Sequence, residues 1–214
     1  GQYTTPTPQL YSRITWLQAA PEWCVPRSIA TQEMLPQLRQ NPGCLAKRGI
    51  RVYSASGRPV NPYRVKWSQV EPAEFPYQLR QEPSAQNALG QVVFRFANPH
   101  AVYLHDTPSP AAFRQPVRAL SHGCVRVEQP LALARFLLRR DDAARASTRT
   151  ADLTVSLTQQ HPRGFGLKAP VQLWLRYLTC EADEAQLRQL PDIYHHDAAL
   201  AQAWYRAAGE PAAN

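Results

Sequence analysis

The chain has 214 residues, enough for one well-cored domain with a small subdomain attached. At 44% hydrophobic and 19% charged it is neither disordered by composition nor fibrous, and its longest nearly unbroken apolar stretch, residues 131–138, is too short to cross a bilayer. The net charge of +8 suits an anionic partner such as nucleic acid, anionic lipid or an acidic wall polymer; however, no run exceeds two consecutive cations and no zinc-finger spacing occurs, which argues against nucleic acid.

Of the 20 prolines, 11 lie in the first 42 residues and between Pro59 and Pro83, which predicts loops, turns and edge strands there. Residues 10–17 alternate as a strand does. Ser28 is placed to cap a short helix over Ile29–Leu35, and Pro36 should kink or end it. From Ala46 to Gln86 the chain is turn-rich, with one strand at Gly49–Tyr53, and reads as an irregular excursion. Regular structure returns at Gln91–Phe96 and Ala101–His105, two β-rich runs that read as neighbours. A third short run, Val117–Leu120, leads into Ser121-His122-Gly123-Cys124-Val125-Arg126-Val127. Glu128–Arg140 reads as a helix with Pro130 in its first turn and Leu131, Ala134, Leu137 and Leu138 on one face. Val171–Cys180 has the alternation of a core strand, Leu187–Tyr194 is interrupted by Pro191, and Asp197–Ala208 reads as a closing helix capped by Asp197. The fold class that emerges is mainly β with peripheral helices, α+β.

Cys24, Cys44, Cys124 and Cys180 are scattered, and no C-x-x-C supports a redox dithiol. His105, His122 and Cys124 could form a three-ligand metal set, but chelating spacings are absent, so no metal and no cofactor is expected. Nucleophilic catalysis fits better. A thiol whose pKa is lowered by an imidazole or by local dipoles attacks carbonyls at neutral pH. Gly123 before Cys124 permits a tight turn whose amide N–H groups could hold an oxyanion. A histidine at a strand end and Ser-His-Gly-Cys after the next β run strengthen that reading.

These residues carry a resemblance. His105, fifteen residues, then Ser121-His122-Gly123-Cys124-Val125-Arg126 resembles the signature of the YkuD-type L,D-transpeptidases of bacterial cell-wall cross-linking. The likeness extends to Tyr103-Leu104-His105-Asp106-Thr107-Pro108, Asn87-Ala88-Leu89-Gly90, Trp23-Cys24-Val25-Pro26 with Ser28-Ile29, Asn41-Pro42 and Asp192-Ile193-Tyr194 with Asp197. The segments Trp23–Ile29 and Asn41-Pro42, and Asp192-Ile193-Tyr194 with Asp197, resemble the larger proteobacterial members. The resemblance implies a β-sandwich-like catalytic domain over 1–20 and 87–214, interrupted by a proline-rich capping subdomain over 21–86. It makes Cys124 the nucleophile and His105 its base and later acid, working as a thiolate–imidazolium pair. Backbone donors of His122, Gly123 and Cys124 would serve the oxyanion, and Ser121, Arg126 and Tyr103 would shape the pocket. His122 reads as structural; His100, His161, His195 and His196 read as surface or core residues.

The implied substrate is peptidoglycan bearing tetrapeptide stems. Cys124 would attack the carbonyl of stem residue three, release D-Ala, and pass the thioester to another stem as a 3→3 cross-link. Water as acceptor would make the same site an L,D-carboxypeptidase, and a lipoprotein a further acceptor; a wall-binding module with a dead site is the non-catalytic alternative. Carbapenem β-lactams are the implied covalent inhibitors, and the periplasm or cell envelope the implied location. Gly1–Pro8 resembles the family's opening segment entered at its glycine, so the chain is expected to be a piece of a longer envelope protein, without its leader and with an unpaired sheet edge. An exported protein would tend to pair two of its spare cysteines. Cys24 and Cys44 flank the short helix and are expected to bridge, whereas Cys180 is expected to be a buried free thiol.

Overall fold

The computed structural model describes residues 1–183 and 186–208. The first half of the chain runs β1 (Leu10–Ala19), β2 (Trp23–Cys24), α1 (Arg27–Ile29), a π-helical segment (Ala30–Met34), α2 (Leu35–Gln40), β3 (Ile50–Ser54), β4 (Pro59–Val60), β5 (Tyr77–Gln81) and β6 (Val92–Phe96). After it come β7 (Leu104–His105), β8 (Val125–Arg126), α3 (Pro130–Asp141), α4 (Ala146–Gln159), β9 (Arg163–Leu175), β10 (Cys180–Asp183), β11 (Gln186–Gln189) and α5 (Asp197–Ala208). The architecture is α+β, organised on sheets with the helices outside them. No described helix is long and apolar enough to cross a membrane.

The larger sheet has the order β8-β7-β6-β1-β9, antiparallel except for the parallel β7–β8 pair. A bulge between Ile14 and Trp16 inserts one residue into β1 and resets its alternation. Ile14 and Leu17 therefore both enter the core with Phe94 and Leu104, and Trp16 turns to the other face. Ala134, Leu137 and Leu138 of α3 and Leu153 of α4 cover the core side, each at most 1% exposed. Burying each leucine contributes about 1.5–3 kcal/mol. The other face carries Tyr103, His105, Cys124 and Arg126.

Residues 23–81 build a second sheet, ordered β2-β5-β3-β4, with a core of its own that includes Met34, Leu38, Val52, Trp67, Phe75 and Leu79. The expected irregular excursion is thus a folded unit. Its prolines initiate short 3-10 turns at Pro62–Arg64 and Pro72–Glu74, between which Trp67 is buried with its indole N–H on the Pro62 carbonyl at 2.7 Å.

Other expectations are corrected. Ser28 does not cap: the helical run starts after Pro26 with no side-chain cap, and Pro36 neither ends nor breaks it. The π segment just before Pro36 shifts the hydrogen-bond ladder where proline lacks its donor, so the helix continues to Gln40. The strand at Ala101–His105 contracts to Leu104–His105, because the Asn98 side chain binds the carbonyls of Phe96 and Val102 and the N–H groups of His100 and Val102, closing a turn at positive-φ Ala101. Val117–Leu120 is not a strand; it lies in a loop whose Arg118 and Leu120 line a cleft. The strand placed at Val171–Cys180 spans Arg163–Leu175 instead, and Cys180 opens an exposed hairpin. The closing helix is where expected, but Asp192 serves its start: that carboxylate accepts from the N–H groups of His196 and Asp197.

Candidate active site

The parallel pairing of β7 with β8 brings the two motif segments together. Leu104 opposite Val125 and His105 opposite Arg126 continue the core side and the open side, so Tyr103, His105, Cys124 and Arg126 share the open face. Two backbone bonds hold this register, Val125 N–H to the Tyr103 carbonyl at 3.1 Å and Val127 N–H to the His105 carbonyl at 2.8 Å. Cys124 and His105 are diagonal neighbours on that face.

Ser121 fastens the turn before the nucleophile. Its hydroxyl donates to the Cys124 carbonyl at 2.6 Å and accepts from the Gly123 N–H at 3.3 Å. Gly123 sits at φ +108°, where a side chain would be strained, so the turn demands glycine. The opening segment packs on the same turn: Gln2 N–H and the Thr5 hydroxyl both donate to the Ser121 carbonyl. One expectation changes here. The Gly123 N–H is engaged inside the turn and does not join His122 and Cys124 as a ready oxyanion donor. Instead the Tyr103 phenol and backbone N–H face the sulfur.

Burial dominates the electrostatics. His105 is 6% exposed, its Nδ1 buried without a hydrogen-bond partner, and desolvation brings its pKa down to about 4. The neighbouring backbone of Asp106 and Leu89 opposes the shift, and the Arg126 charge adds to it. Burial likewise pushes the Cys124 thiol up, against the pull of Tyr103 and Arg95. Tyr103 is raised to about 12, chiefly by burial, and stays protonated. Burial therefore favours the neutral form of both groups over the expected ion pair.

The low His105 value makes folding pH-dependent. The unfolded histidine takes its proton near 6.5 and the folded one near 4, so between those values only the unfolded chain holds the extra proton. Stability is full above about pH 6.5 and falls as the pH drops toward 4, by about 3 kcal/mol from this residue. Urea unfolding at pH 7, 5.5 and 4 should show this slope, flattened in His105→Gln; identical profiles would refute the assignment.

His122 turns to the second unit: its Nε2 lies 2.7 Å from Glu33 Oε1, and both side chains are about half exposed. Glu33 lies on the π segment, and nothing in its spacing signals a reach to the motif. His105, His122 and Cys124 do not gather as a metal set, and no such group of three or more ligands occurs among the described residues. All four cysteines are free thiols. The expected Cys24–Cys44 bridge is not formed: Cys24 is exposed at the end of β2 with its thiol toward Glu22, while Cys44 packs against the second core. Cys180, expected buried, is exposed.

Cys124 opens into a cleft of about 230 Å³ whose lining includes Phe113, Arg118, Ser121 and Arg126. A second groove of about 440 Å³ shares Arg118 and Val125 with it and runs past Trp174, Arg176, Tyr177 and Tyr194. The Nε of Arg126 is buried without a hydrogen-bond partner. Sequence reasoning found Arg126 but missed Arg118, which has no pattern around it.

A family model of the YkuD L,D-transpeptidase catalytic domain matches residues 1–155. A Haemophilus influenzae protein named "Putative L,D-transpeptidase" is 30% identical over 197 residues, 92% of this chain. The chain spans about two-fifths of that relative's length, 39%. With the motif, its strand pairing and the family match in agreement, the chain belongs to the YkuD family of L,D-transpeptidase catalytic domains.

Proposed function

We propose that the protein is a cysteine acyltransferase of the cell envelope that joins peptidoglycan tetrapeptide stems by 3→3 cross-links. One observation carries the reading: a half-buried thiol that lines a cleft with two arginines shares one face of two paired strands with a buried imidazole. Arg118 and Arg126 suit the terminal carboxylate of a donor stem. The adjoining groove offers a stretch of Arg176 and aromatic side chains for the acceptor stem.

In the first half-reaction His105 takes the thiol proton as sulfur attacks the carbonyl of stem residue three. The Tyr103 phenol stands as a neutral donor near the developing oxyanion. Collapse breaks the bond to D-Ala, whose nitrogen recovers the proton from His105, and leaves a thioester on Cys124. In the second half-reaction an acceptor amine gives a proton to His105 and attacks the thioester; the C–S bond breaks and the thiol regains its proton. Water in place of the amine would yield a tripeptide stem, the carboxypeptidase outcome. In this reading residues 21–86 act as a cap, held to the catalytic turn by Glu33 and His122. The +8 charge suits an anionic wall polymer.

Intact-protein mass spectrometry with a purified disaccharide tetrapeptide tests the proposal. The expected species is the chain plus the stem less D-Ala, located on Cys124, followed by stem dimers. A carbapenem should add its mass at the same residue. No adduct with either compound would overturn the enzyme reading, and tripeptide without dimers would select the carboxypeptidase.

A further inference from the structure

A row of side chains crosses four strands on the open face. Trp16 of β1 lies opposite Arg95 of β6. Val93 opposite His105 and Phe94 opposite Leu104 place Arg95 opposite Tyr103, and the β7–β8 register places Tyr103 opposite Cys124. The Arg95 guanidinium carbon lies 4.6 Å from the Tyr103 ring centroid and 5.8 Å from that of Trp16. Both distances fall within cation–π reach. The Nε of Arg95 is buried without a hydrogen-bond partner. A cation placed in the middle of a β-strand and stacked against two rings is costly to bury unless its charge is used.

We propose that Arg95 is a positioning residue for the nucleophile: it holds the Tyr103 ring against Cys124 and supplies the standing positive charge that favours the thiolate. The inference rests on the reading of Cys124 as nucleophile. The phenol cannot itself carry a negative charge near neutrality, so it acts only as a donor toward sulfur, and the ring must be held for that donor to be aimed. Arg95 does this through the face of the ring, which leaves the hydroxyl end for Cys124. The charge also opposes burial, the main force raising the thiol. The other group facing the sulfur is Tyr103 from β7; His105 and Arg126 share its face. Trp23 of β2 approaches the Tyr103 hydroxyl from the second unit.

Sequence alone gives a faint signal. Arg95 is the one charged residue in the apolar run Val92–Phe96, where a strand buried on both sides would have none.

The test is the pH dependence of iodoacetamide alkylation at Cys124, located by peptide mass, in the unaltered chain and in Arg95→Gln, Arg95→Lys and Tyr103→Phe. Removing this charge should raise the Cys124 midpoint, with a shift on the order of one unit as the expected readout. The ionised fraction at pH 8 then falls about tenfold; the more basic sulfur is more nucleophilic, so the alkylation rate falls about threefold. Arg95→Gln should show this shift, and Arg95→Lys, which keeps the charge, a smaller one. Tyr103→Phe, which loses only the hydroxyl, should also raise the midpoint. A structural role alone would lower the unfolding midpoint of both Arg95 variants and leave their alkylation midpoints at the unaltered value, which overturns the proposal. Failure of the nucleophile reading appears separately, as a lack of stem adduct in the unaltered chain.

Discussion

Replacing His105 with glutamine lowers acyl-enzyme formation by about a thousandfold at pH 7. Glutamine is close in size and polar, so it fills the buried site without acting as a base. Burial keeps the unaltered imidazole neutral down to about pH 4, so the unaltered enzyme should hold its acylation rate down to about pH 5 and lose it below. In the variant only sulfur that has ionised unaided can react. Burial raises that thiol, so the residual rate should climb about tenfold per pH unit through neutrality. Stopped acylation with a tetrapeptide stem, followed by intact mass from pH 5 to 9, measures both features. A variant within tenfold of the unaltered rate, or one with a flat profile, would remove His105 from the base role. Cys124→Ala, in the same assay, should form no adduct at any pH.

Local sequence signals picked out the motif well and its supporting geometry poorly. The Ser-His-Gly-Cys turn and its neighbour His105 were legible because each rests on residue type and short spacing: Gly123 at φ +108° is what a tight turn before Cys124 demands. The helix over Pro130–Asp141 was legible for the same reason, since its apolar face repeats within four residues. What failed involved long-range contacts or a shift of phase. The bulge at Ile14–Trp16 reverses the alternation of β1, and no pattern inside the strand announces it. Pro36 argued against a helix that a π segment accommodates. The second unit looked irregular because its strands are short and set between prolines, yet Trp67, Phe75 and Leu79 meet in one core. The electrostatic setting of the Cys124–His105 pair was not legible either. Burial, which spacing does not report, drives both groups toward their neutral forms.

Asn87→Ala should cost about 3–5 kcal/mol, the largest loss expected from a single side chain outside the site. Asn87 is wholly buried where the chain returns from the second unit. Its amide nitrogen serves the carbonyls of Pro21, Gln81 and Glu82 at 3.0, 3.2 and 3.0 Å, and its oxygen accepts the Leu89 N–H at 2.8 Å. One side chain thus ties the outgoing strand crossing at Pro21 to the end of β5 and to the entry of β6. Gln81 completes the junction, donating to the carbonyls of Arg48 and Gln86 and accepting from Ala88 N–H. Alanine leaves several buried backbone groups unpaired in a space too small to hydrate fully, and each such group costs about 1–3 kcal/mol. For a domain of this size the unfolding midpoint should fall by about 10 °C. Aspartate at the same place is the sharper variant. Its carboxylate keeps the acceptor for Leu89 but faces three carbonyls with no donor, so at pH 7 it should be less stable than alanine. Urea unfolding of both variants, with tryptic cleavage at Arg80 as the local readout, decides the matter. A loss under 1 kcal/mol in both variants would show that the junction is held by the two cores instead of by this amide.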